Sequence, residues 1–180
     1  MKQVQLFAKK SSAYGGSLLK TCKGRSGPRP LATRDSMHLV LRSSKARGEW
    51  SFFKKKNARA VNAILSKFSQ RHFVRILSKA IVGNHIHLHI QLRSRSTYKA
   101  FIRAITSAIA MAITGASRWR PLKTCARDRF WDLRPFTRIV QGFRDLSNLK
   151  RYIELNQLEV GGFTKDEARF FLAWHDAKDG

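Results

Sequence analysis

Acidic residues are scarce in this chain of 180 residues, and they are unevenly placed. Eleven carboxylates stand against 36 lysines and arginines, and only Asp35 and Glu49 precede Asp128. A nuclease built on a carboxylate cluster needs several acids spread over a sheet to hold two metals. The distribution argues against that class. A metal here must rely on imidazole and on something from the C-terminal third. Cysteine is rarer still: Cys22 and Cys125 fit no metal spacing and no disulfide framework, which points to a reducing, intracellular setting. No signal peptide, lipidation motif or long apolar run is visible. The apolar stretch 104–116 is too short to cross a bilayer, so no membrane partner is expected. What the chain has in excess is positive charge, +25 in all. That much charge calls for a polyanionic partner: nucleic acid leads, and a membrane surface, the runner-up on charge alone, has none of those membrane signals behind it.

The order of elements reads as one domain with appendages. Residues 1–35 form a basic arm broken by Gly and Pro, in which Lys20, Lys23, Arg25 and Arg29 are candidate nucleic-acid contacts. Met37–Arg42 reads as a strand, 54–70 as a helix by its apolar spacing, and Phe73–Ile81 as a second strand. Gly83-Asn84 is a tight turn into a strand starting at His85. A helix capped by Ser96 or Thr97 runs to Thr114 and stops at Gly115. The basic loop that follows interleaves Arg118, Trp119, Arg120 and Lys123, cations beside an aromatic on which a base could stack. Phe136–Val140 is the fourth strand. This βαββαβ order implies an α+β, ferredoxin-like antiparallel sheet with helices packed on one face and the other face open for a site. C-terminal helices follow, one around Leu149–Gln157 and one opened by the capping box Thr164-x-x-Glu167. Phe170, Phe171 and Trp174 would cover the core from the last. The expected divisions are 1–35, 36–162 and 163–180.

The chain is organised around Asn84-His85-Ile86-His87-Leu88-His89-Ile90. In a strand, His85, His87 and His89 share one face and Ile86, Leu88 and Ile90 the other. An imidazole row is either half of a metal site or a polar strand face, and the row alone does not decide between them. Two strand histidines need completing from elsewhere. Tyr152 and Asn156 are four apart and share one face of a helix, while Leu149 and Ile153 share another that would pack on the sheet. Of the three tyrosines, only Tyr152 has a potential ligand one turn away. His38, His72 and His175 have no partner at useful spacing and read as structural.

Asn84-His85-Ile86-His87-Leu88 followed by Tyr152-Ile153-Glu154-Leu155-Asn156 resembles the HUH single-tyrosine transposases. Among these it is most similar to the REP-associated tyrosine, or IS200-like, transposases. Phe130–Phe136 resembles the family's Trp-centred entry to the last strand, and 37–48 its first strand and loop. The resemblance covers roughly 37–162. It implies that His85 and His87 bind a divalent metal, Mg²⁺ or Mn²⁺, with Asn156 as third ligand and Tyr152 as nucleophile. His89 stands where the family usually has an apolar residue, and Gln157 where proline often follows, so both are possible auxiliary ligands. The implied activity is cleavage and rejoining of hairpin-bearing single-stranded DNA through a 5′-phosphotyrosine. Bond energy is kept in the adduct, which agrees with the absence of a phosphate-cradling Gly-x-x-x-x-Gly-Lys sequence.

The alternative is a domesticated, non-catalytic nucleic-acid binder on the same fold, since fold alone decides no function. Binding does not require the joint His and Tyr/Asn pairs. The resemblance further implies a bacterial, cytoplasmic, nucleoid-associated protein. It leaves open a monomer or a homodimer, and Tyr152 acting in its own subunit or in a partner.

Overall fold

A computed structural model describes residues 14–15, 29–117, 119, 129–132 and 134–176. The described elements are β1 (Tyr14–Gly15), β2 (Met37–Arg42), α1 (Lys55–Arg71), β3 (Val74–Val82), β4 (His85–Leu92), α2 (Arg95–Thr114), β5 (Phe136–Ile139), α3 (Gly142–Val160) and α4 (Lys165–Asp176). The sheet is antiparallel, in the order β1-β5-β2-β4-β3. Four of the strands are those expected. The two-residue β1 is an addition: part of the basic arm pairs with Thr137 and Arg138 at the sheet edge.

The strand alternation sorts the two faces. Met37, Leu39 and Leu41 of β2 and Ile86, Leu88, Ile90 and Leu92 of β4 are at most 2% exposed. They share one core with Val61 and Leu65 of α1 and with Phe101, Ile105 and Ile109 of α2. Burial of apolar side chains at this density is the main driving term for the fold. α2 ends as the sequence predicts, with Gly115 in the left-handed conformation (φ 71°) and its N–H on Met111 O at 2.9 Å. Its N-cap is Ser94 rather than Ser96 or Thr97, because Ser94 Oγ accepts from Ser96 N while Thr97 is already helical. Among the described residues, no helix is long and apolar enough to cross a membrane.

The second face of the sheet is not left open. α3 lies across it through Leu149 and Ile153, which form a small separate core with Ala80 and Val140. The helix starts at Gly142, well before the expected Leu149, because Asp145 in its first turn ties the entry down. Asp145 accepts from Gln141 N at 3.0 Å and from Arg138 Nη1 at 2.6 and 2.7 Å. α4 opens with the expected capping box: Thr164 N donates to Glu167 Oε2 at 2.8 Å and Glu167 N to Thr164 Oγ1 at 3.3 Å. Its aromatic stripe does not cover the core. Ala168 and Leu172 are the buried positions, whereas Phe170 is 75% exposed. α4 packs against α3, and its aromatic stripe lies on the outer side.

Candidate active site

The site is built where α3 crosses the sheet. Strand register sets which side chains meet there. Val40 of β2 lies opposite His87 of β4, His38 opposite His89, and Arg42 opposite His85. On the far side, Ala80 of β3 lies opposite His87. The His row therefore runs along the face that α3 roofs, and the small Ala80 leaves room for the helix. Leu149 and Ile153 anchor the roof, 2% and 0% exposed. Tyr152 precedes Ile153 and so projects to the side of that anchor.

That projection sets the Tyr152 ring edge-on to the His87 ring, with centroids 5.1 Å apart at 87°. His87 is itself edge-on to His85, at 4.7 Å and 88°. His38 stacks on His87 at 5.3 Å, and its Nε2 lies 3.1 Å from His87 Nδ1. Four rings thus meet: His38, His85, His87 and Tyr152. Sequence reasoning brought three of them together and read His38 as a structural residue without a partner. It missed His38 because the contact depends on register between two strands distant in the chain.

The hydrogen bonds and burial of the imidazoles set their protonation. Asn84 Oδ1, which can only accept, lies 2.7 Å from His85 Nδ1. The proton is therefore on Nδ1, and neutral His85 keeps a lone pair on Nε2. His87 Nε2 is buried with no partner. Burial, helped by His85 and then His38, holds the His87 pKa at about 3. Burial, with Arg138 and then His89 beside it, holds His38 at about 4. His85 is lowered by burial and then by Arg42, and His89 by burial and then by Lys150. All four are neutral at physiological pH, the state that ligates. Among the described residues, no three His, Cys, Asp or Glu side chains form a metal cluster. The donors present fit a divalent ion held by imidazole.

The remaining sequence candidates divide. Asn156 lies one turn beyond Tyr152, and its Nδ2 donates to Tyr152 O at 2.7 Å. Gln157 Nε2 donates to Lys79 O at 2.6 Å, so this amide clamps α3 to β3 instead of joining the His row. His89 is 1% exposed, with Nε2 2.7 Å from Ser36 Oγ, a bond that holds the strand face together. Arg29, expected to contact nucleic acid, is turned inward. Its Nη1 donates to Pro135 O at 2.8 Å and Thr137 Oγ1 at 2.6 Å, and its guanidinium lies over the Tyr98 ring. A planar fork held by two acceptors and a ring is a structural anchor. Trp119 is 88% exposed, while Trp131 is partly buried with Nε1 on Thr106 O. Lys20, Lys23, Arg25, Arg118, Arg120 and Lys123 lie outside the described residues.

A family model for IS200-like transposases matches residues 33–156. The chain belongs to the IS200-like transposase family. The matched span of this transposase contains the whole His row and ends at Asn156. In fold it is similar to a REP-associated tyrosine transposase solved bound to a REP hairpin, with a TM-score of 0.57 and 13% identity, covering 76% of this chain and 74% of that one. A presumed transposase of Deinococcus radiodurans R1 aligns at a TM-score of 0.45 and 18% identity, covering 74% of this chain and 96% of that one. No curated protein sequence matches the chain significantly. Membership makes the chain a DNA-processing protein of the transposase type.

Proposed function

We propose that this transposase cleaves and rejoins hairpin-bearing single-stranded DNA, with Tyr152 as nucleophile and a divalent metal held by His85 and His87. The observation that carries the reading is the edge-on approach of Tyr152 to His87, 5.1 Å between ring centroids, on a face where binding alone would need neither. The hairpin in the structure of the REP-associated relative supports a folded single strand as substrate.

The Tyr152 hydroxyl attacks the phosphorus of a phosphodiester. The P–O3′ bond breaks, the strand leaves with a free 3′-OH, and the 5′-phosphate stays on Tyr152. A tyrosine hydroxyl is a weak nucleophile at neutral pH and must lose its proton as it attacks. The ring is 45% exposed, so solvent receives that proton, and the departing 3′ oxygen takes one up from solvent. When bound, Mg²⁺ or Mn²⁺ would supply Lewis-acid stabilisation of charge on a phosphodiester oxygen. His85 and His87 would hold it through Nε2, and Asn156 through its side-chain oxygen. Arg42 beside His85 and Lys150 beside His89 flank the row and would hold the strand on either side of the reacting phosphate. A 3′-OH attacking the adduct reverses the chemistry, so rejoining needs no nucleotide cofactor. Trp119 would offer a base-stacking surface, and the basic arm would follow the backbone. The catalytic unit would span 36–162, in a soluble bacterial protein working at the nucleoid.

The test is incubation with labelled hairpin-bearing single strands and Mg²⁺ or Mn²⁺, followed by denaturation in SDS. A shifted, SDS-resistant band lost in Tyr152→Phe and His87→Ala supports the reading. Salt-sensitive binding with no adduct on any hairpin supports the non-catalytic alternative instead.

A further inference from the structure

The bond between His38 and His87 has a direction, and that direction matters. The two nitrogens, His38 Nε2 and His87 Nδ1, are 3.1 Å apart and share a single proton. If His38 donates, neutral His87 must carry its own proton on Nε2. That N–H would be buried without an acceptor, since His87 Nε2 has no partner. An orphaned buried donor is costly, and a protonated nitrogen cannot ligate. If His87 donates, Nε2 is a bare lone pair on the ring edge away from His38. Only the second arrangement agrees with His85, whose Nδ1–H is held by Asn84 Oδ1 at 2.7 Å.

We infer that His38 is a positioning residue of the site: its Nε2 accepts the Nδ1 proton of His87 and holds His87 Nε2 as a lone-pair donor beside His85. Asn84 does the same for His85. The site then uses one device twice, once from the turn before β4 and once from the neighbouring strand. The stacked geometry, 5.3 Å and 22° between rings, also fixes the plane of His87. His38 must then carry its own proton on Nδ1. The charged groups facing it are Arg138, opposite it on β5, and Asp145 on α3, which are paired with each other at 2.6 Å. The inference rests on His85 and His87 being metal ligands.

The test uses the full chain with the variants His38→Ala and His38→Gln, the glutamine returning an acceptor oxygen at that position. Long-range ¹H–¹⁵N spectra of the metal-free protein report which His87 nitrogen bears the proton, and Mn²⁺ titration followed by electron paramagnetic resonance reports affinity. The expected wild-type spectrum has His87 protonated on Nδ1 alone. His38→Ala moves protonation toward Nε2 and weakens Mn²⁺ binding by about 10- to 100-fold, as loss of a ligand's outer partner does. His38→Gln recovers most of both. A wild-type His87 protonated on Nε2 overturns the inference, and that spectrum decides it even if His38→Ala does not fold. Equal Mn²⁺ affinity in wild type and a folded His38→Ala overturns the role of His38 alone. No Mn²⁺ binding by the wild type overturns the metal-ligand reading and this role with it.

Discussion

Tyr152 and His87 meet edge to face, 5.1 Å between ring centroids, and both belong to the same chain. Nothing about a tyrosine on an α-helix requires this. The contact exists because Leu149 and Ile153 fasten α3 to the sheet on the side where the imidazoles stand.

That fastening predicts a nucleophile acting in its own subunit. Only Val140 and Gln141 connect β5 to α3, which is too short a link for the helix to exchange without unfolding its packing. Mixing Tyr152→Phe with His87→Ala is expected to restore no covalent adduct. Recovery of the adduct in the mixture would show exchange between subunits.

The same packing makes Ile153→Ala costly. Ile153 is fully buried, and truncation at such a site costs roughly 2–5 kcal/mol. Chemical denaturation measures the loss, and adduct yield should fall further than DNA affinity because Tyr152 is the neighbouring residue. Phe170→Ser, at a position 75% exposed, serves as control and should stay within about 0.5 kcal/mol of wild type.

Asn84 should matter for metal and little for folding. Its Oδ1 fixes the His85 tautomer, so Asn84→Ala is expected to weaken Mn²⁺ binding about 10-fold or more. Asn84→Asp, which keeps the acceptor, should retain binding. Calorimetric titration of both variants checks this, and equal affinity in Asn84→Ala would remove the residue from the site.

Acid should destabilise the fold through the buried imidazoles. His38 and His87 are held at about 4 and about 3, from an ordinary 6.5, chiefly by burial. Below about 6.5 the unfolded chain takes up protons that the folded chain refuses, so stability falls as pH drops toward those folded values. Urea melts between pH 7 and pH 4 should show this slope, and His87→Gln should flatten it. An unchanged slope would mean that His87 titrates freely in the folded state.

Much of this was legible in the sequence where the signal is local. The alternation in Met37–Arg42 and His85–Leu92 marks strands and sorts their faces, because period two is a direct consequence of the pleat. Tyr152 and Asn156 declare a shared helix face through spacing alone. What stayed hidden depends on tertiary placement. The start of α3 has no apolar period to announce it: Phe143 is 85% exposed, and the turn is held by Asp145 and Arg138. His38 belongs to the site only through the register of β2 against β4. Arg29 looked like one more phosphate-seeking cation, yet its partners are Pro135, Thr137 and Tyr98, all distant in the chain.

The central claim is that Tyr152 forms the bond to DNA. The most direct test traps the adduct on hairpin-bearing single-stranded DNA with Mn²⁺, digests protein and nucleic acid, and sequences the modified peptide by mass spectrometry. The expected result is a peptide spanning Tyr152 with a nucleotide attached through its 5′-phosphate to the phenolic oxygen. A nucleotide on Tyr14 or Tyr98, on a serine or through a 3′-phosphate, or cleavage with no protein-linked nucleotide at all, would contradict the account.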